Sequence, residues 1–354
     1  MSGFSPEWLS LRERVDHRSR HAGLGGVLAG RLQAIAAPEI IDLGCGTGSN
    51  LRATAPLLGP RQSWTLVDHD PRLLAAARER LTVWADRAEP REDGLDLKKG
   101  DREIAVRFRQ ADLDQDLDGA LGEAPTLVTA SALFDLCSTE FIQRFATAVA
   151  RRRAIFYTVL TYNGVQKWTP RQPSDQAIAQ AFNQHQMSDK GFGPSAGPMA
   201  PSELADAFRA SGYIVSEGES PWVLGANDAQ LVSELAEGKA HAAVDAGETL
   251  TGEDFSALFG EVQRRHHGVE GGPDLQRGGR GYGRVAGVVG PRHRQVDLAE
   301  RPTGVRPRAA EVCRGELGLV VGDPFEVLAL EPEPDHEVGR HPLDESTDER
   351  RDDG

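Results

Sequence analysis

Short apolar runs alternate along the chain with longer segments in which apolar residues recur at helical spacing. The apolar runs predict five strands, at 39–43, 64–68, 104–108, 126–130 and 154–160. The helical spacing predicts helices between them, at 48–58, 71–85 and 138–151. The segment 87–101 is charged and follows no period, which predicts a solvated loop. Strands that alternate with helices are typical of an α/β protein with a doubly wound, mostly parallel sheet and helices on both faces.

Two further helices are predicted before the first strand. Residues 5–36 carry apolar residues at helical spacing in two patches, and Gly23, Gly25 and Gly26 lie between the patches. Because glycine is a poor helix former, we expect the break between the helices at these glycines. Residues 1–37 are therefore predicted to form an N-terminal helical cap.

The pattern changes after the fifth strand. Residues 161–200 are rich in Gly, Pro, Gln and aromatic residues, which predicts a lid-like insertion. The elements predicted from there onward are a helix at 173–186, a helix at 201–211, a strand at 212–217 and helices at 227–238 and 251–265. We therefore expect the sheet domain to span residues 38–266.

The tail, residues 267–354, differs in composition from the rest of the chain. It is acidic and rich in Gly, Pro and Arg, and it contains no Ile, Lys, Asn, Met or Trp. Charged segments with few apolar residues do not bury enough surface to fold, so one interpretation is a disordered extension. The alternative is a tail translated out of its original reading frame, because it lacks residues with A/T-rich codons that occur earlier.

Charge and cysteine content narrow the function classes. A formal net charge of −14 disfavours a nucleic-acid partner, because such proteins usually present a basic surface. Cys45, Cys137 and Cys313 are too few and too scattered for a disulfide framework or a zinc site, so no metal site is predicted. No segment resembles a signal peptide or a membrane span. We therefore predict a cytoplasmic protein without a membrane partner.

The first predicted strand runs into a glycine-rich turn. Asp42 near the end of the strand is followed by glycine at every second position from 44 to 48. Glycine permits positive φ angles and lets a ligand approach the backbone closely. A dinucleotide fingerprint, G-x-G-x-x-G, would need a glycine where Ser49 stands. An NAD-dependent oxidoreductase is therefore the less favoured interpretation.

The G-x-G-x-G spacing after an acid, together with Asp68 at the end of the second strand, resembles the cofactor half of class I S-adenosylmethionine-dependent methyltransferases. The resemblance covers residues 39–160 and extends, through 11–13, 66–71 and 182–198, to bacterial members of that superfamily. It implies a Rossmann-like sheet of seven strands with an antiparallel last strand. It also implies S-adenosylmethionine as the cofactor and methyl transfer to an acceptor that is selected by elements outside the core.

The final strand implied by the resemblance is not evident in residues 218–267. If the tail is foreign, the sheet is expected to lack its antiparallel strand and to expose an edge. Residues 317–321 and 325–330 are the substitutes that the sequence offers.

The resemblance implies roles for the residues at the strand ends. The backbone of the turn would hold the methionine end of the cofactor, with Asp42 at its ammonium group, directly or through water. Asp68 would accept the ribose hydroxyls; its alternative role is to cap the helix from 71. His69 would flank the sugar or the adenine. The predicted cofactor-binding residues are Asp42, Gly44, Cys45, Gly46, Gly48, Asp68, His69, Asp112, Leu113 and Ser131.

Three of these residues follow later strands. Asp112 would accept the adenine amino group and Leu113 would form an apolar wall, whereas Asp114 and Asp116 are interpreted as a solvated acidic turn. Ser131, after the fourth strand, would position the methyl donor.

The predicted acceptor residues lie after the fourth and fifth strands. Asp135 either orients a substrate nucleophile or begins the next helix. His185 is the best-placed base, because imidazole titrates near neutrality; alternatively it is a hydrogen-bonded histidine that fixes the lid. Tyr162 and Lys190 are predicted acceptor contacts. Methyl transfer mainly needs in-line proximity and removal of a proton, so a dedicated base is not compulsory.

The acceptor is predicted to be a small molecule. Residues 131–134 do not carry the Asn-Pro-Pro-Tyr or Asp-Pro-Pro-Tyr sequence that this family uses to methylate amino groups of DNA or RNA bases. An inactive cofactor-binding module or partner subunit is the alternative to an enzyme. No oligomeric state is predicted.

Overall fold

The computed structural model of the chain describes residues 4–169, 171, 173–245, 318–321 and 325–330. The helices are α1 (Pro6–Arg18), α2 (Ala22–Leu32), α3 (Ser49–Thr54), α4 (Pro71–Trp84), α5 (Leu117–Leu121), α6 (Thr139–Arg152), α7 (Asp175–Gln186), α8 (Ala200–Ala210) and α9 (Ala229–Asp245). The strands are β1 (Glu39–Leu43), β2 (Arg61–Asp68), β3 (Arg87–Pro90), β4 (Gly94–Lys99), β5 (Arg102–Gln110), β6 (Leu127–Ser131), β7 (Ile155–Thr161), β8 (Gln166–Thr169), β9 (Ile214–Glu219), β10 (Trp222–Leu224), β11 (Gly318–Val321) and β12 (Phe325–Leu330).

Nine strands form one mixed sheet in the order β3-β4-β5-β2-β1-β6-β7-β12-β9. The central strands from β5 to β7 are parallel, and β12 is antiparallel to both of its neighbours. One hydrophobic core includes residues of α2 and α4, and the other includes residues of α5, α6 and α8. The predicted α/β class, with a mostly parallel sheet and helices on both faces, is confirmed. A separate antiparallel sheet contains β10, β11 and β8 in that order.

The carboxyl ends of the parallel strands meet at one edge of the sheet. Leu43 at the end of β1 lies opposite Val67 and Ala130 in the neighbouring strands. Asp68 closes β2 opposite Gln110 of β5. The glycine turn, Asp68 and the residues that follow β5 and β6 are therefore brought to the edge where ligands of such sheets bind.

The predicted loop at 87–101 is wrong, because these residues form β3 and β4. The two strands pair antiparallel and extend the sheet beyond β5. Leu95 and Leu97 are 2% and 3% exposed, whereas Asp96 between them is exposed. This alternation is the period of a strand with one buried face; the many charged residues around it obscured the pattern.

The break between the first two helices was also placed wrongly. α1 is capped by Ser19, and α2 begins after His21, whose ring accepts a hydrogen bond from the Leu24 N–H. The glycines predicted to interrupt the helices lie inside α2. A Cβ on Gly25 would lie 3.2 Å from Cδ1 of Leu57, so this glycine lets the helix pack closely against the turn that follows α3.

The expectation of a missing antiparallel strand is wrong. β12, at one of the two positions named as substitutes, lies between β7 and β9. Val327, Leu328 and Ala329 are fully buried, and Val327 and Leu328 belong to the two different cores. A strand covered on both faces is apolar at successive positions, which explains the run from Val327 to Leu330. Residues 318–321, within the other position named as a substitute, form β11 of the separate sheet. The remaining residues of the predicted tail, and the predicted helix at 251–265, lie outside the described residues.

The predicted helix at 227–238 continues beyond Gly238 to Asp245 as α9. A glycine within a helix weakens it only modestly and need not end it. In the described part of the chain, no helix has the length and apolar character that crossing a membrane requires.

Candidate functional site

The turn between β1 and α3 holds its backbone in conformations that favour glycine. Gly44 and Gly46 have φ angles of +58° and +53°, and L residues with a side chain adopt such angles only with strain. A Cβ on Gly44 would lie 3.0 Å from Leu133, and one on Gly46 would lie 3.1 Å from Leu9. The turn is therefore a tight cradle in which side chains at these positions would take the space between the backbone and its neighbours.

Asp42 lies beneath this turn and is fully buried. Its Oδ1 accepts a hydrogen bond from Nδ2 of Asn50 at 2.7 Å, and the same Nδ2 donates to Oγ1 of Thr129 at 3.1 Å. Its Oδ2 has no hydrogen-bond partner among the described residues. Burial raises the pKa of the Asp42 carboxyl to about 7. Asp42 is thus linked to α3 through the side-chain amide of Asn50.

Asp68 lies at the end of β2 and is 5% exposed. Its Oδ2 accepts the Gly46 N–H at 2.9 Å, and its Oδ1 accepts the Asp70 N–H at 3.0 Å. The helix-cap alternative for Asp68 is wrong, because Asp70 caps α4 and its Oδ1 accepts the Arg72 N–H at 2.8 Å. Asp68 instead ties the glycine turn to the end of the neighbouring strand.

A cavity of about 170 Å³ opens beside the glycine turn, and we call it the loop cavity. The predicted residues in its wall are Gly44, Cys45, Gly46, Asp68, His69, Asp112, Leu113, Ser131 and Lys190. Asp42 and Gly48 lie outside this wall. Helix α1 contributes Leu9, Arg12 and Asp16, for which no role was predicted. An ion pair between Arg52 and Glu13, at 2.7 Å, holds α1 against α3.

A second cavity, of about 350 Å³, adjoins the loop cavity. We call it the aromatic cavity, because Trp8, Tyr162, Phe182 and Trp222 line it. The residues that line both cavities are Phe4, Arg12, Ala132, Leu136 and Lys190. The predicted residues Asp135, Tyr162, His185 and Lys190 all lie in the wall of the aromatic cavity. The structure therefore brings eight of the ten predicted cofactor residues and the four predicted acceptor residues to two neighbouring cavities.

Asp135 lies in a 3-10 turn, Phe134–Leu136, and is 8% exposed. It does not begin the next helix, as one alternative supposed, because Ser138 caps α6 and its Oγ accepts the Phe141 N–H at 3.1 Å. Oδ1 of Asp135 has no hydrogen-bond partner among the described residues. Burial raises the pKa of this carboxyl to about 6.

The other predicted acceptor residues are held by local contacts. The Tyr162 hydroxyl donates to Oδ1 of Asn183 at 2.6 Å, and burial raises the pKa of Tyr162. Nζ of Lys190 donates to Oγ of Ser188 at 2.8 Å, and partial burial lowers the pKa of Lys190. His185 lies in the last turn of α7. All three residues belong to segment 161–200, the predicted lid-like insertion.

Lys239 of α9 and Trp222 of β10 also line the aromatic cavity, and the sequence analysis identified neither. Lys239 follows the glycine at which the helix was predicted to end, and nothing in its sequence neighbourhood distinguishes it from a surface lysine. Trp222 stands in a segment for which no strand was predicted. Only the packing of distant segments brings them to this cavity.

We expect the ligand-free protein to lose stability as pH rises from about 4 to about 7, and Asp42→Asn to lose less. The pKa of Asp42 is about 7 in the folded protein, against an ordinary value of 3.8. Folding therefore favours the protonated acid, so its contribution is complete below the unfolded pKa and is lost as pH rises through the folded pKa. Urea unfolding midpoints at pH 5 and pH 7 measure the difference.

Burial also raises the pKa of Asp135, to about 6, so its contribution to stability is lost as pH rises to that value. The Asp42→Asn variant is therefore expected to keep part of the dependence of stability on pH. Asp101→Asn changes an exposed aspartate and is the matched control. The same fall in stability in the Asp42→Asn and wild-type proteins would contradict the assignment to Asp42.

Known proteins resemble the chain in part. No family model matches it. Over 77 residues it is 42% identical to the biotin biosynthesis bifunctional protein BioCD of Bordetella avium, and this match covers 20% of the chain and 16% of that protein. The chain thus spans only a small part of the length of this curated relative.

Solved structures resemble larger parts of the chain. One is magnesium protoporphyrin IX methyltransferase from Synechocystis with bound SAH, which is 14% identical, with a TM-score of 0.38 and coverage of 60% of this chain and 85% of that one. Another is a cyclopropane-fatty-acyl-phospholipid synthase-like protein from Lactobacillus casei, 15% identical, with a TM-score of 0.40 and coverage of 75% and 90%.

The strand arrangement of the chain itself identifies its fold. Seven adjacent strands, β5-β2-β1-β6-β7-β12-β9, have the number and the antiparallel last strand that the sequence resemblance implies. A glycine turn follows the first of these strands in sequence, and an acid closes the second. The chain therefore has the fold of the class I S-adenosylmethionine-dependent methyltransferases.

Proposed function

We propose that the protein transfers a methyl group from S-adenosylmethionine to a small-molecule acceptor. The observation that carries this proposal is the 2.9 Å hydrogen bond from the Gly46 N–H to the Asp68 carboxylate, which joins the glycine turn to the end of β2. The carboxylate and the backbone of the turn, which a ligand can approach closely, therefore line the same cavity. When bound, S-adenosylmethionine supplies a methyl group on a positively charged sulfur.

The residues around the loop cavity suit the parts of this cofactor. The turn at Gly44 and Gly46 would lie against its methionine end, with Asn50 and the Asp42 beneath it serving the ammonium group. Asp68 would accept the ribose hydroxyls, since a carboxylate offers two acceptor oxygens. The adenine would be held by His69, Asp112 and Leu113, and the sulfonium end would be positioned by Ser131.

We assign the aromatic cavity to the acceptor, because it adjoins the loop cavity through Ala132 and Leu136. Asp135 would orient the acceptor nucleophile and take its proton, since Oδ1 is buried without a partner among the described residues. A carboxyl with a pKa of about 6 is mostly ionised at pH 7 and can accept that proton. His185 is the second candidate for this role. Tyr162 and Lys190 would contact the acceptor.

The elements around the aromatic cavity suit a role in covering the acceptor. Helix α1 and the segment 161–200 would cover the acceptor, as residues of both line the aromatic cavity. We further propose a cytoplasmic enzyme that acts on neither nucleic acid nor membrane. The net charge of −14 supports the exclusion of nucleic acid.

Calorimetric titration with S-adenosylhomocysteine, followed by assays of transfer from methyl-labelled S-adenosylmethionine to small molecules of cell extracts, tests the proposal. We expect binding at one site per chain and label in a small-molecule fraction. No binding by folded protein would contradict the proposal. Binding without transfer would favour an inactive cofactor-binding module, and binding of NADH, detected by its fluorescence, would favour an oxidoreductase.

A further inference from the structure

We propose that Lys239 binds a carboxylate of the methyl acceptor, and that the acceptor is a small carboxylic acid with an aromatic or apolar body. The identification of this ligand as the methyl acceptor rests on the proposed function. The site itself is defined by the surroundings of Lys239.

Lys239 is a buried cation at the wall of the aromatic cavity. Its side chain is enclosed on α9, with the residue 3% exposed. Nζ donates a hydrogen bond to Oε1 of Gln166 and lies 4.8 Å from the ring centre of Phe182 and 5.8 Å from that of Trp168. These partners are neutral. Among the described residues, no carboxylate forms an ion pair with Lys239.

A buried ammonium group without an anion is costly, because burial removes its hydration and neutral partners replace only part of it. Burial lowers the pKa of Lys239 to about 7, and no nearby charge opposes this shift. An anionic ligand at Nζ would restore the charged form and would supply the ion pair that the protein leaves open. The cavity beside Nζ offers the space for it.

Arg12 and Lys190, the other basic side chains described in the wall of the cavity, are less suited to this role. Arg12 is engaged with Asp16, at 2.9 Å from its Nε, and its guanidinium lies 4.8 Å from the ring centre of Trp222. Lys190 donates a hydrogen bond to Ser188 and is only half-buried, so water can hydrate its ammonium group without an anion.

Asp135 and Glu234 also line the cavity, but neither forms an ion pair with Lys239 in the part of the chain that the structure describes. Lys239 is the most deeply buried basic side chain among the described residues of this wall, and none of these residues gives it a carboxylate partner.

The remaining walls describe the body of the ligand. Trp8, Tyr162, Phe182 and Trp222 present aromatic surface, which suits an aromatic or apolar molecule. Nε1 of Trp222 is buried and has no acceptor among the described residues, so the cavity offers a second polar contact. A cavity of about 350 Å³ limits the ligand to a small molecule.

Three pairs of probes test the carboxylate site: benzoate and benzamide, phenylacetate and phenylacetamide, and indole-3-acetate and indole-3-acetamide. Each is titrated by ligand-observed NMR into the full chain in the presence of S-adenosylhomocysteine. Because a hydrogen bond between two charged groups is stronger than one to a neutral amide, we expect at least one acid to bind about tenfold more tightly than its amide. In Lys239→Met, of similar side-chain length, this preference is expected to fall to about one.

Lys167→Met replaces an exposed lysine of the neighbouring β8 and is expected to keep the preference. Equal binding of every acid and its amide, no binding of any acid, or a preference that survives in folded Lys239→Met would overturn the proposal. Thermal unfolding establishes that the variant is folded. An acid preference that depends on Lys239, in a protein that does not bind S-adenosylhomocysteine, would support the carboxylate site and contradict the methyltransferase function.

Discussion

Asp68→Ala is expected to weaken the binding of S-adenosylhomocysteine about a hundredfold. In the proposed complex the carboxylate accepts both ribose hydroxyls, and loss of two hydrogen bonds to a charged group amounts to about 3 kcal/mol or more. The variant also removes the acceptor for the Gly46 N–H, which lies 2.9 Å from Oδ2. Isothermal titration calorimetry measures the change.

Two further variants distinguish the loss of ribose recognition from a general loss of structure. Asp68→Asn keeps one acceptor oxygen and loses the charge, so its loss of affinity is expected to be smaller than that of Asp68→Ala. Asp101→Ala changes an exposed aspartate that does not line the loop cavity, and this variant is expected to bind S-adenosylhomocysteine with the affinity of the wild-type protein. If a folded Asp68→Ala protein binds S-adenosylhomocysteine with unchanged affinity, Asp68 does not bind the ribose.

Val327→Asp is expected to destabilise the protein by about 4 kcal/mol or more, because it buries a charge without a partner. Val327 is fully buried in β12, opposite Thr158 of β7 and Glu217 of β9. A loss of this size approaches the whole stability of many domains, roughly 5–15 kcal/mol. The soluble yield and the urea unfolding midpoint measure it.

Val223→Asp is the matched control, because it makes the same substitution in β10 at a residue that is 61% exposed. It is expected to change the midpoint little. If the two variants are equally stable, the residues from 325 to 330 do not form the buried strand described above. The pair therefore tests whether the tail contributes to the fold.

Local patterns were enough to predict much of the cofactor side of the site. β1, the glycine turn and Asp68 lie close together in sequence, and their residue types are dictated by backbone geometry and charge. The loop cavity accordingly contains eight residues of the predicted cofactor-binding set, from Gly44 to Ser131. Whether they bind the cofactor stays a prediction.

Features that depend on distant packing were missed. The charged residues of 87–101 obscured a strand whose buried leucines become evident only against β5 and α4. The cap of α4 was missed for another reason, because Asp70 directly precedes Pro71 and has the N-cap position that local rules favour over Asp68. Lys239 becomes informative only because α9 packs beside β8 and α7. Such residues owe their environment to tertiary contacts, which a single sequence does not display.

The position of β12 has a consequence for the order in which the protein folds. β7 and β9 are synthesised well before β12, yet β12 must enter between them. Joining segments so far apart requires closure of a long loop, and such non-local pairing slows folding. The amino-terminal strands can assemble during synthesis, whereas the sheet is completed only after most of the chain has been made. Until β12 is synthesised, β7 and β9 have edges without their partner strand, and through these edges the nascent protein can associate with other chains.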